Sequence, residues 1–171
     1  MNYSDTIKCL MTCYHVINPY LEYQNIIIEI HNKKTMNLKF DNRFTKYLGL
    51  PKDIAMIEIK ESDEIFDDIE FLDYDSNYTK GYSIYKDQYV FTIEHPLGNS
   101  ASTAGGTILA VGDCEFIHDI STDHGSSGCP IILSNDNINL IQVIGIHKEG
   151  YEGLQLNGGT FIGEIFNKKK N

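Results

Sequence analysis

Short runs of β-branched and aromatic residues, each cut off by polar turn residues, dominate this chain and leave little room for a helical fold. Ile7 to Tyr14 is one apolar run, and Asn25 to His31 carries Ile-Ile-Ile-Glu-Ile. Further segments of strand length lie at Met36 to Phe40, Asp53 to Ile59, Gln88 to Glu94, Gly106 to Val111 and Glu115 to Ile120. Pro130 to Ser134, Leu140 to Ile146 and Thr160 to Ile165 complete the set. Between them fall Asn, Asp and Gly, which accept the backbone of tight turns. No long stretch keeps a 3.6-residue apolar period. The pattern predicts an all-β protein, a sandwich or barrel of short strands. A length of 171 residues buries a real core, as one compact unit or as two small lobes in contact.

One stretch breaks the rhythm. Glu61 to Lys80 gathers Asp67-Asp68 and Asp73 to Asp75 among tyrosines, and it is the best candidate for a linker between lobes. The alternative is a surface excursion holding one short strand. As a linker it divides the chain into residues 1–75 and 76–171. The Lys168-Lys169-Lys170 tail reads as a solvated end. Acidic residues outnumber Lys and Arg by 24 to 14, and the resulting field, from a net charge of −10, repels nucleic acid and anionic membranes. Neither is an expected partner. No apolar run reaches the length of a membrane span. Met1-Asn2-Tyr3-Ser4-Asp5 lacks the basic start and apolar stretch of a secretory signal, which favours an intracellular setting or excision from a longer precursor. The cysteines Cys9, Cys13, Cys114 and Cys129 show no CxxC or Cys/His zinc spacing. Cys9 and Cys13, four apart on a strand, share a face but stand too far apart to bond. They read as buried thiols in a reducing compartment, and no metal site is expected.

The chemistry gathers around Asp123-His124-Gly125-Ser126-Ser127-Gly128-Cys129-Pro130. A nucleophilic serine needs an exposed hydroxyl and backbone N–H groups aimed at the developing oxyanion. Glycines on both sides of Ser127 permit a turn that presents both, with the N–H groups of Gly125 and Ser127 as the oxyanion donors. Taken alone, such a stretch is a Gly/Ser surface turn. Upstream, Leu10-Met11-Thr12-Cys13-Tyr14-His15-Val16-Ile17 sets a histidine at the end of an apolar strand, the rigid support that a general base requires. Pro51-Lys52-Asp53-Ile54-Ala55-Met56 sets an aspartate before another strand, where it can be buried to orient an imidazole. Each piece alone reads as structure; the three together, in the order His15, Asp53, Ser127, read as a catalytic constellation.

With these residues the chain resembles the trypsin-like serine peptidases. Thr12-Cys13-Tyr14-His15-Val16 is similar to their histidine motif, Asp53-Ile54-Ala55 to their aspartate motif and Gly125-Ser126-Ser127-Gly128-Cys129-Pro130 to their serine motif. The resemblance implies two packed six-stranded antiparallel β-barrels with the triad in the cleft between them, a peptide or protein substrate, and no cofactor. Nearer still, Asp119-Ile120-Ser121-Thr122 and Val143-Ile144-Gly145-Ile146-His147 resemble the bacterial glutamyl endopeptidases. That resemblance makes Ser121, Thr122 and His147 substrate-binding residues, with Thr122 and His147 donating to an acidic side chain. It also makes Gly145 to Glu149 the strand that pairs with substrate, and Thr160-Phe161 the flank of the pocket.

The departures are specific. Only Met1 to Thr6 precede the histidine strand, so the first barrel is expected to lack its opening strand or to draw it from a longer parent chain. Ser126 stands where the digestive enzymes carry an aspartate that pairs with a freed N-terminus, so activation by that route is not expected. The glutamyl-specific enzymes place their N-terminal amine in the pocket, and no equivalent is visible here. Glu149 stands where it would repel an acidic substrate. Cys129 should face away from Ser127 as a buried thiol; His95 reads as a loop residue, His31 as surface, and His118 and His124 as structure. The alternatives from other classes are a barrel that binds peptides without cleaving them, and a processing domain of a larger precursor. Oligomeric state has no signature in the sequence.

Overall fold

Alternating apolar residues in the first part of the chain build two small sheets around a shared core. A computed structural model describes residues 7–30, 34–134, 141–151 and 153–166; the expectations for Met1 to Thr6, His31, Leu140 and the lysine tail lie outside these residues. Strand β1 (Cys9–Cys13) pairs antiparallel with β5 (Ile54–Glu58), which pairs on its other edge with β4 (Thr45–Leu48). Strands β2 (Ile26–Ile30) and β3 (Lys34–Leu38) form a hairpin. Ile26, Ile28 and Ile30 face inward on β2, against Met36, Leu38, Ala55 and Ile57, while Ile27 and Glu29 face out. Among the described residues this lobe is a three-stranded sheet plus a hairpin, without hydrogen-bonded closure.

The second lobe closes. Strands β7 (Tyr89–Glu94), β8 (Ser102–Val111), β9 (Glu115–His118), β10 (Pro130–Leu133), β11 (Gln142–Tyr151) and β12 (Leu156–Phe161) run in the order β10-β7-β8-β9-β12-β11, and β10 pairs with β11 to complete a six-stranded antiparallel barrel. Closure pairs the strands on both edges around the barrel, and β11 runs on past it with one edge unpaired among the described residues. Val90, Ile108, Phe116, Ile131, Ile144 and Phe161 fill the interior. Phe116 lies over two bare positions: a Cβ on Gly159 would stand 2.3 Å from its ring, and one on Gly145 2.7 Å. The protein is all-β, with a closed second barrel and a first lobe that is not closed among the described residues.

Two differences from the sequence expectation are local. Strand β4 was not anticipated. The segment expected as a strand from Thr160 to Ile165 stops at Phe161 and turns into the one-turn helix α1 (Gly163–Phe166). The Glu61 to Lys80 stretch holds one short strand, as its reading as a surface excursion allows: β6 (Asp73–Tyr74), which runs parallel to β11. The lobes meet through Cys13 and Ile54 on one side and Ile146 and Ile165 on the other. Lys52 pairs with Glu164 of α1 at 2.5 Å, and Lys46 donates to the Ile165 carbonyl.

Candidate active site

Strand β1 ends at Cys13, whose carbonyl accepts the N–H groups of Val16 at 3.1 Å and Ile17 at 3.0 Å, and this turn exposes His15. Asp53 sits just ahead of β5, 2% exposed, with φ +54°. Aspartate is among the few residues that accept this left-handed backbone. The conformation lets Asp53 meet the β1 turn with three acceptors. Its carbonyl receives Tyr14 N–H at 3.0 Å, Oδ1 receives His15 N–H at 2.9 Å, and Oδ2 stands 2.7 Å from His15 Nδ1. A ring held at Nδ1 carries its proton there and offers the Nε2 lone pair outward.

Across the seam lies the serine loop. Gly128, at φ +90°, packs onto β1 so closely that a Cβ would fall 2.5 Å from Thr12 Oγ1, and its N–H donates to the His147 carbonyl at 2.9 Å. The Cys13 thiol donates to the same carbonyl at 3.2 Å. Ser127 and His15 therefore approach one seam from opposite lobes. Ser127 Oγ donates to the Lys148 carbonyl at 3.4 Å, and among the described residues no hydrogen bond joins it to His15.

Backbone donors in the loop are almost fully used. Asp123 N–H reaches Ser126 Oγ, His124 N–H the Asp123 carboxylate, Ser126 N–H the Asp123 carbonyl and Cys129 N–H the Ser126 carbonyl. Leu97 N–H braces the His124 carbonyl at 2.7 Å. Among the described residues, the N–H groups of Gly125 and Ser127 have no acceptor. Unpaired amides at a surface are positioned to receive an incoming oxygen.

A cavity of about 920 Å³ opens beside Ser127. Thr122 and His147 line it, while Ser121 is exposed at its rim. Thr122 Oγ1 stands 3.5 Å from His147 Nε2 and donates to Asn157 Oδ1 at 3.1 Å; Asn157 Nδ2 donates to the Ile120 carbonyl at 2.7 Å. Behind His147, its Nδ1 lies 3.4 Å from Nε2 of His118, which is fully buried with Nδ1 unpartnered. Burial pushes the His147 pKa down to about 4 and that of His118 to about 3, so both rings are neutral at pH 7. The cavity's carboxylates have donors of their own: Asp119 takes Thr107 N–H, Asp123 takes His124 N–H, and Glu149 lies 3.0 Å from Lys148 Nζ. Glu149 is thus an ion-paired group rather than a free charge.

Two sequence expectations are corrected. Thr160 and Phe161 do not flank the cavity: both are fully buried, and Phe161 stacks on Tyr82 in the barrel core, so Leu156 and Asn157 take the flank instead. Gly145 and Ile146 are already paired on both edges, with β10 and β12, and cannot receive a substrate strand. From Glu149 to Tyr151 only the β12 edge is paired among the described residues, while the Lys148 carbonyl takes the Ser127 hydroxyl. His118 and Asn157 were missed as site residues, and Lys148 was read only as part of the substrate strand; the alternation of Phe116 and His118 on β9 was the one signal that pointed His118 inward.

Metal-type donors cluster at Cys13, His15 and Asp53, whose ligand atoms lie within 4.8 Å of one another. His15 and Asp53 hold each other, and burial pushes the Cys13 thiol up to about 12, so these donors are accounted for by their own hydrogen bonds. Cys129 is similar: burial raises its thiol to about 11, and its sulfur accepts the Thr92 hydroxyl.

A family profile described as a trypsin-like peptidase domain matches residues 2–146. The chain belongs to the trypsin-like peptidase family. No curated protein matches it. Among solved structures, the serine endoprotease of Yersinia pestis is similar with a TM-score of 0.66 at 17% identity, over 93% of this chain and 51% of that one. A Mycobacterium tuberculosis protease in an inactive form is similar with a TM-score of 0.63 at 16% identity, over 93% of this chain and 76% of that one. At these identities the likeness is one of fold, and the chain spans about half the length of the Yersinia protein.

Proposed function

We propose that this trypsin-like peptidase domain is a serine endopeptidase that cleaves peptide or protein substrates through His15, Asp53 and Ser127. One observation carries the reading: Asp53 grips both the backbone and Nδ1 of His15, opposite a loop whose unpartnered amides are those of Gly125 and Ser127. In the reaction, His15 Nε2 takes the proton of the Ser127 hydroxyl as Oγ attacks the peptide carbonyl. The two amides receive the oxyanion. His15 then protonates the leaving amine, and water, activated by His15, hydrolyses the acyl-enzyme. The residues perform each proton transfer without a cofactor.

The specificity we propose is for Glu, and secondarily Asp, on the acyl side of the cleaved bond. A directional hydrogen-bond chain supports it. A buried bare lone pair is tolerated better than a buried unpaired N–H, so the unpartnered His118 Nδ1 carries the lone pair. His118 Nε2–H then donates to His147 Nδ1, and His147 Nε2–H points at Thr122 and the cavity. A carboxylate entering there meets both the imidazole N–H and the threonine hydroxyl.

The test uses a fluorophosphonate probe and a peptide library. Labelling at Ser127, lost in Ser127→Ala together with turnover by a factor on the order of 10⁴ or more, is the expected result. Library cleavage after Lys, Arg or a large apolar residue ends the acid-pocket reading and leaves the nucleophile untouched. The orientation of Ser127 Oγ toward Lys148 supports the rival, a peptide-binding module that does not cleave; binding without labelling is its signature. A native product heavier than this chain would identify a processing domain within a larger precursor.

A further inference from the structure

Glu94 ends β7 with a carboxylate that is only 5% exposed, and among the described residues no cation pairs with it. Burying such a group is costly unless its oxygens receive hydrogen bonds. Its donor is the hydroxyl of Ser126, a residue 1% exposed that stands between Gly125 and Ser127. Ser126 is also the loop's internal staple. Its Oγ accepts Asp123 N–H at 3.4 Å, its N–H reaches the Asp123 carbonyl at 3.1 Å, and its carbonyl accepts Cys129 N–H at 3.0 Å. Glu94 itself is held by its pairing with Ser102 of β8, on a strand that β10 also pairs as far as Thr92. Gly125 is the opposite case: at φ +93° and without a Cβ, it resists rotation of its peptide weakly. The direction of its N–H is therefore set by how firmly its neighbours are held.

We propose that Glu94 is a positioning residue for the serine loop, acting through the Ser126 hydroxyl to keep the Gly125 and Ser127 amides aimed at the oxyanion. The inference rests on the peptidase reading of Ser127 and adds a part to it. Without the Glu94 acceptor, Ser126 Oγ is a buried donor in search of a partner, and the loop gains freedom to turn the Gly125 amide away. Such a loss falls on the transition state, where the oxyanion exists, and spares ground-state binding.

The experiment compares Glu94→Met, which keeps volume and removes the acceptor, with Glu94→Gln, which keeps an acceptor oxygen. Glu94→Met should lower kcat by about 10²- to 10³-fold with KM within about threefold of the parent, the size expected for a lost oxyanion donor. Glu94→Gln should recover turnover to within about tenfold of the parent. Ser126→Ala should match Glu94→Met, and the double variant should be no worse than either, because both act along one path. Parental kcat in Glu94→Met, or equal losses in the Met and Gln variants, would overturn the proposal. Amide ¹⁵N–¹H resonances of Gly125 and Ser127 supply a readout independent of turnover: Glu94→Met must move them and Glu94→Gln must leave them near the parent. Should the parent neither label nor turn over, the peptidase reading fails, and unmoved resonances in Glu94→Met would separately sink the loop-anchoring role.

Discussion

His118 is fully buried and His147 nearly so, and burial, ahead of any neighbour, pushes their pKa values down to about 3 and about 4. The unfolded chain titrates its histidines near 6.5, so between that value and the folded ones it binds more protons than the native state. Stability from these rings is complete above about pH 6.5 and drains away as pH falls towards 4. The Asp63 carboxyl, held below the usual carboxylate range by Arg43, contributes in a different window, losing its share only below about pH 4. Urea unfolding should therefore show a midpoint that drops between pH 7 and pH 4.5, and His118→Met should flatten that drop. An equal drop in the variant would place the acid sensitivity elsewhere. The same residue marks a limit of reading from sequence. His15, Asp53 and Ser127 announce themselves through their neighbours along the chain, because a strand end, a turn and a glycine-flanked serine are local features. His118 and Glu94 sit in ordinary strands, and their importance comes from partners 29 and 32 residues away, His147 on another strand and Ser126 in the serine loop.

Strand β11 carries a bulge between His147 and Glu149 that turns the Lys148 side chain inward, to 6% exposure. There Nζ meets the Glu115 carboxylate of β9, the Glu149 carboxylate at 3.0 Å and the Pro51 carbonyl of the first lobe at 3.4 Å. The free edge of β11 begins just past this residue, at Glu149, so one ammonium tethers the start of the place where an extended peptide would add. Lys148→Met leaves two carboxylates without their cation and loosens that edge. A long peptide substrate should then show KM raised about tenfold, since strand addition depends on it, whereas a small serine-directed probe should label within about threefold of the parental rate. Equal effects on both would assign Lys148 to general packing. A bulge has no sequence signature here, which is why Gly145 to Glu149 reads from sequence as one uniform substrate strand. Strand β4, Thr45-Lys46-Tyr47-Leu48, is four residues long, too short to show an alternation, and it exists because β5 offers it a partner. The Thr160 to Ile165 run opens with the strand-type residues Thr160, Phe161 and Ile162, and Gly163 and Glu164 follow. Its change into α1 answers to the seam between lobes, where Ile165 is buried against Cys13 and Ile54. Strands such as β7 and β9 were legible because β-branched and aromatic residues gather in them and turn residues flank them.

Asp53 and Ser127 belong to different lobes, so the working geometry of the whole molecule depends on how firmly those lobes are joined. The apolar part of the junction is the cluster of Cys13, Ile54, Ile146 and Ile165. The polar part pulls α1 onto the first lobe: Lys52 pairs with Glu164, which is 6% exposed and also receives the Tyr82 hydroxyl at 2.7 Å. Lys52 directly precedes Asp53, and its N–H, like that of Asp53, is held by the Gly49 carbonyl in the same turn. A lysine anchored in the second lobe thus steadies the turn that presents the aspartate to His15. Removing it with Lys52→Met takes the cation from a buried carboxylate, a change that costs about 1–3 kcal/mol where hydrogen bonds remain. The turn keeps its backbone bonds, so the fold should survive with a lower Tm. The parent should unfold in one cooperative transition, as two lobes with a shared core do, and Lys52→Met should retain a single transition. Turnover should fall several-fold with KM unchanged, because the variant loosens Asp53 and leaves the cavity around Thr122 and His147 intact. Calorimetry together with steady-state kinetics decides it. Two separated transitions in the parent would show lobes that fold independently. A parental kcat and Tm in Lys52→Met would mean that the apolar cluster alone sets the distance between Asp53 and the serine loop.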